Sequence, residues 1–108
     1  MLITNEKMIA DEPETVQAFV TAVKQGYEYA IEKPDKSAEI LHKAIPDTDM
    51  EFLLESQKFL SSQYSLDSET WGLMKEEVWD NYTEFMYEYG LIDEAIAASE
   101  QYTNEFIK

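Results

Sequence analysis

The chain has 108 residues, 44% of them hydrophobic, and its 23 acidic and 8 basic residues give a net charge of −15. This length suits one domain, and the hydrophobic content excludes wholesale disorder. The acidic charge disfavours nucleic acid and anionic membrane surfaces as partners, and the absence of cysteine excludes disulfides, thiol catalysis and thiolate metal sites.

The N-terminal residues predict a short strand followed by a short helix. Met1 to Thr4 are apolar and β-branched, which is typical of a strand. Asn5 is the expected cap of a helix over Glu6 to Ala10. Pro13 then stands at the first turn of the next helix, a position that proline favours.

The first long helix is predicted from hydrophobic spacing. Apolar residues recur at steps of three and four from Val16 to Ile31, which indicates an amphipathic helix. Gly26 inside it costs about 1 kcal/mol relative to alanine. Pro34 should end the helix, because proline disfavours the helical conformation of the preceding residue.

Two shorter helices are predicted next. Asp35 is the expected cap of a helix over Lys36 to Ala44. Thr48 and Glu51 have the spacing of a capping box, in which the hydroxyl of the first residue and the carboxylate three positions later cap a helix start. The polar residues from Ser61 to Asp67 predict a loop.

A row of large apolar residues predicts a last long helix, capped by Asp67 or Ser68. Gly90 should end this helix, with Leu91 contacting its last turn. This row, called the aromatic stripe, consists of Trp71, Met74, Val78, Tyr82, Phe85 and Tyr89. Trp79 and Met86 broaden it.

A short helix over Asp93 to Ser99 should follow, with Tyr102 and Phe106 anchoring the C-terminal tail. The predicted fold class is therefore all-α, with five or six helices in a single helical domain over residues 1–108. No internal repeat is present.

Three patterns resemble chemical sites. Glu39 and His42 have the E-x-x-H spacing of di-iron proteins, but His42 is the only histidine, so a solvated histidine is the favoured interpretation. The acids from Asp47 to Glu51 begin like a calcium loop, yet helix capping explains them better. The sequon Asn81–Thr83 lies mid-helix and is interpreted as chance. No enzyme activity, cofactor or metal is expected.

The aromatic stripe has two interpretations. Helical spacing places its rings on one side of a helix, which favours core packing. Apolar stripes on at least three helices of one short chain also predict a surplus that needs a partner surface.

Four stretches resemble, in order and spacing, the C-terminal third of substrate-binding proteins of ABC importers. The resemblance is to the thiamine-precursor (pyrimidine) type, with nitrate, sulfonate and taurine binders as relatives. The stretches are LITNEKMIADEPETVQAFVTAVKQGYEYAIEKPDKSAEIL, LLESQKFLSSQY, WGLMKEEVWDNYTEFMYEYGLID and YTNEFI.

The resemblance implies a two-lobed α/β parent of the periplasmic-binding-protein type, about three times as long. Such a parent is extracytoplasmic, captures its small-molecule ligand without catalysis and delivers it to an ABC permease. This chain lacks a signal peptide, the N-terminal lobe and most of the sheet, so it is expected to be a fragment that self-associates when isolated.

The resemblance also suggests candidate site residues. Asn5 and Glu6 are the positions near the expected ligand cleft. The residues expected to pack against a lobe or partner are Trp71, Trp79, Tyr82, Phe85 and Tyr89. The alternative function is a free-standing helical module that binds a partner protein through its aromatic groove.

Overall fold

The computed structural model describes residues 1–64 and 70–107. In these residues the predicted all-α class is confirmed, with five α-helices, one short 3₁₀ helix and no strand. The elements are α1 (Glu6–Asp11), α2 (Pro13–Glu32), α3 (Pro34–Ala44), α4 (Met50–Ser61), α5 (Glu76–Glu88) and the 3₁₀ helix (Ala98–Glu100).

The chain forms two compact units, Met1–Trp71 and Gly72–Lys108. The expectation of one helical domain over residues 1–108 stays a prediction. The expected strand over residues 1–4 is not formed. A strand needs a neighbour for its backbone hydrogen bonds, and the described part of the chain offers none.

The first unit is built on proline-defined helices. Pro13 and Pro34 each occupy the first turn of a helix, so α2 has the predicted start and end. In this unit α3 packs against α4, and α2 contacts both. Ala38 on α3 and Leu53 on α4 are the buried apolar residues, and they form the centre of the unit.

Two predicted caps in this unit are wrong. The N-cap of α3 is Lys33 without a side-chain hydrogen bond, and Asp35 lies inside the first turn. Proline is favoured at the first helical position, which moves the start ahead of Asp35. The N-cap of α4 is Asp49, not Thr48, and its carboxylate accepts from the Phe52 N–H at 2.9 Å. A carboxylate also gains from the helix dipole, which a threonine hydroxyl does not.

The second unit contains α5, which is shorter than the predicted helix. Trp71 and Met74 precede it, because Gly72 adopts φ +78° and Lys75 is extended. A left-handed residue interrupts an α-helix, so the aromatic stripe is not one continuous helical row. The predicted caps Asp67 and Ser68 lie outside the described residues.

The end of α5 is confirmed. Gly90 adopts φ +65°, and its N–H donates to the Tyr87 carbonyl at 3.0 Å. The Leu91 N–H donates to the Met86 carbonyl at 2.8 Å, which completes a Schellman motif.

The helix predicted over Asp93 to Ser99 is wrong, since only the 3₁₀ turn Ala98–Glu100 forms. So short a segment rarely sustains an α-helix in water.

Candidate binding surfaces

Asn5 and Glu6 lie at the start of the first unit. The Asn5 Oδ1 accepts a hydrogen bond from the Met8 N–H at 2.8 Å, so this side chain caps α1. Glu6 is in the first turn of α1, and both side chains are exposed. A carboxylate at this end is favoured by the helix dipole. A contact of either residue with a ligand stays a prediction.

Trp71 packs in the first unit within a cluster of three aromatic residues. Its ring centroid is 5.7 Å from that of Tyr27 on α2, at an interplanar angle of 54°. Tyr27 also meets Tyr64 edge to face, with centroids 5.0 Å apart. Such pairs contribute about 0.5–1.5 kcal/mol beyond their buried area. Trp71 is half-buried and contacts a residue of its own unit.

The inner side of α5 packs on the C-terminal tail. Trp79 is stacked with Tyr102, with centroids 5.5 Å apart and planes within 14°. One turn later Thr83 is buried, and its hydroxyl accepts from Gln101 Nε2 at 2.7 Å. Phe106 is also buried, so the predicted anchoring of the tail by Tyr102 and Phe106 agrees with the structure.

A second polar contact holds the segment before α5. The Asn104 side chain accepts from the Met74 N–H at 2.9 Å and donates to the Met74 carbonyl at 2.8 Å. Gly72 lies against Ile107, and a Cβ on Gly72 would be 3.1 Å from the Ile107 Cδ1. The tail thus fixes where α5 begins.

The outer side of α5 is exposed. This surface, called the outer face, consists of Val78, Tyr82, Phe85 and Tyr89. It includes a pair of neighbouring aromatic rings. The rings of Phe85 and Tyr89 are 4.7 Å apart. The residues predicted to pack against a lobe or partner therefore divide into two classes. Trp71 and Trp79 pack within their own units, and the remaining three lie on the outer face.

Sequence reasoning missed Gln101 and Asn104. Both are uncharged polar residues in a tail whose sequence pattern consists of its aromatic anchors. Their partners, Thr83 and Met74, are 18 and 30 residues away along the chain. No local sequence pattern predicts a contact between residues so far apart in the chain.

The E-x-x-H pair is used in another way. The Glu39 carboxylate binds Lys36 at 2.9 Å, and this hydrogen bond raises the pKa of the Lys36 ammonium. His42 is half-buried on α3. In residues 1–64 and 70–107 no three acidic or histidine side chains come together as metal ligands. No candidate membrane-spanning helix is found in residues 1–64 and 70–107.

Comparisons with known proteins show which proteins this chain resembles. A sequence model of the family described as NMT1/THI5 like matches residues 1–37. Together with the relative below, this match confirms the resemblance to an NMT1/THI5-type substrate-binding protein.

One curated protein that the chain resembles is the riboflavin-binding protein RibY of Chloroflexus aurantiacus (strain ATCC 29366 / DSM 635 / J-10-fl). The chain is 28% identical to it over 117 residues, an alignment that covers 98% of this chain and 32% of the relative. The chain therefore spans about a third of the length of this curated relative.

Proposed function

We propose that this chain is part of an extracytoplasmic solute-binding protein that captures a small heteroaromatic ligand for the permease of an ABC importer. The observation that carries the proposal is the similarity to a riboflavin-binding protein across 98% of the chain. The match of residues 1–37 to the NMT1/THI5-like family supports the same class. Capture is non-covalent, by closure of two lobes on the ligand, and involves no catalysis.

The proposed ligand is a flat molecule that contains a pyrimidine ring. The sequence resemblance implies a thiamine-precursor pyrimidine, and the name of the relative specifies riboflavin, whose ring system includes a fused pyrimidinedione. Such molecules are held by stacking on aromatic side chains and by a few directed hydrogen bonds. Riboflavin and a hydroxymethylpyrimidine are therefore the two ligands to test.

The chain contributes two features to such a protein. Residues 1–4 run exposed into Asn5 and Glu6, and these two side chains are proposed to lie beside the cleft. Exposed aromatic side chains of the first unit, such as Phe19, Phe52 and Phe59, are proposed to be covered by the rest of the protein and, when the chain is isolated, by other copies of it.

The test is a titration of the longest natural polypeptide that contains this chain. Riboflavin fluorescence should be quenched saturably with one ligand per protein, or hydroxymethylpyrimidine should give a saturable signal in calorimetry. The 108-residue chain alone is the control and should bind neither ligand saturably. A folded longer polypeptide that binds neither, or a gene that encodes only these 108 residues, would contradict the proposal and favour a helical interaction module.

A further inference from the structure

The outer face of α5 has the spacing of a helix-pairing surface. Val78, Tyr82, Phe85 and Tyr89 follow one another at steps of four, three and four, the spacing by which one helix presents a continuous row to another. Their exposed fractions are 62%, 57%, 49% and 70%. A contiguous row of large exposed apolar side chains is typical of a contact surface.

An acidic row runs beside the outer face. It comprises Glu77, Glu84 and Glu88, with Asn81 between them, and each member directly precedes a member of the outer face. All are exposed, and none of the three carboxylates has an ion-pair partner among the described residues. Within residues 72–107, Lys75 is the single basic residue. The row therefore presents negative charge that its own unit does not neutralise.

We propose that the outer face binds a basic amphipathic helix of a separate partner protein. An apolar row on that helix would cover Val78, Tyr82, Phe85 and Tyr89, and lysine or arginine beside it would meet the acidic row. This is the helix-on-helix mode of recognition, in which spaced apolar anchors supply affinity and flanking charges select the partner.

Charge complementarity favours a basic helix over three other occupants. A second copy of α5 would bring glutamates against glutamates, and like charges at an interface are unfavourable. An anionic membrane would meet the same repulsion, on a chain of net charge −15. A neutral apolar helix would leave the three carboxylates without a counter-charge at the edge of the contact.

The test uses the full 108-residue chain and a labelled synthetic peptide of about three heptads, with leucine in the apolar row and lysine at the flanking positions. Fluorescence anisotropy should give saturable binding that weakens as salt is added. A peptide of the same length with glutamate in place of lysine should not bind.

Two paired sets of variants locate the contact. The double variant Tyr82→Ser/Phe85→Ser should weaken binding by at least about tenfold, whereas Phe52→Ser/Phe59→Ser, exposed phenylalanines on α4, should change it less than about twofold.

The triple variant Glu77→Gln/Glu84→Gln/Glu88→Gln should also weaken binding strongly. Its control, Glu14→Gln/Glu28→Gln/Glu32→Gln, removes the same charge from α2 and should have a small effect.

Equal losses in the variant and control sets would show nonspecific attraction to an acidic protein and overturn the proposal. Sedimentation that shows a dimer of the unmodified chain, abolished by Tyr82→Ser/Phe85→Ser, would overturn it in favour of a second copy.

The inference does not rest on the solute-binding proposal, since neither ligand nor lobe enters it. A failed riboflavin titration leaves it standing, and a failed peptide titration leaves the solute-binding proposal standing.

Discussion

The Asn104 side chain makes both hydrogen bonds that the backbone of Met74 offers, 30 residues earlier in the chain. Its side-chain amide pairs with the backbone of Met74 as a residue of a neighbouring strand would. The contact fixes the extended segment that leads into α5.

Asn104→Ala should lower the free energy of unfolding of the second unit by about 1–3 kcal/mol, because two partly buried backbone groups lose their partners. Denaturant titration in a Trp71→Phe background, followed by Trp79 emission, reports on that unit alone. Asn81→Ala is the control, since Asn81 is exposed on α5. Equal stability of the Asn104 and Asn81 variants would contradict the role assigned to the contact.

Two glycine substitutions should act in opposite directions. Gly72→Ala should destabilise by about 1–2 kcal/mol, because φ +78° is costly for alanine and the new Cβ would crowd Ile107. Gly26→Ala should stabilise by about 0.5–1 kcal/mol, since Gly26 lies within α2 with no atom near its Cβ position. Thermal and denaturant unfolding of the pair provide the check, and a shared sign would disprove the difference.

Asn5 allows its capping role to be separated from its proposed ligand role. Asn5→Ala should cost about 1 kcal/mol, whereas Asn5→Ser should retain the cap and most of the stability. In the longer polypeptide, Asn5→Ser and Glu6→Gln should both weaken riboflavin or pyrimidine binding. Glu14→Gln, on exposed α2, is the control. Unchanged ligand affinity in the first two variants would remove them from the cleft.

The isolated chain should self-associate through α4. Phe52 and Phe59 are 65% and 66% exposed, and a separation of seven residues places them on one side of that helix. Added salt should strengthen the association by screening the charge of −15. Light scattering over a range of concentrations measures it, with Phe52→Ser/Phe59→Ser expected to be monomeric and Tyr82→Ser/Phe85→Ser unchanged. A strictly monomeric unmodified chain at high concentration would refute the prediction.

The helix boundaries that depend on a proline or a glycine were predictable from sequence. Pro13, Pro34 and Gly90 act through their own backbone constraints, which hold in any surroundings. The exact caps were less predictable. Thr48 and Asp49 are adjacent and both are good caps, so the sequence leaves the start of α4 undecided by one residue.

The start of α5 was not predictable from periodicity. Trp71 and Met74 continue the steps of three and four, so spacing alone extends the helix through them. The helix cannot extend back past Gly72, which has a positive φ and lies beside Ile107. Asn104 holds Met74 in the segment before α5. The contacts of Ile107 and Asn104 both depend on where the tail lies. Tertiary contacts thus override a local pattern at this position, whereas the strand expected over residues 1–4 is not formed because no described residue pairs with it.

The residues of the aromatic stripe were predictable from sequence. Which of them pack inside the protein and which are exposed was not. Sequence cannot separate Trp79, stacked on Tyr102, from Tyr82, which faces solvent three positions later. That separation depends on where the tail lies, and it determines which rings remain for a partner.

The bond between Thr83 and Gln101 has a practical consequence for protein production. Oligosaccharide transfer to Asn81 requires the third residue of the sequon to be reachable, and here its hydroxyl is buried and engaged within a regular helix. Protein secreted from a eukaryotic host should therefore carry sugar only if transfer precedes folding. A bacterial host avoids a heterogeneous product at this position.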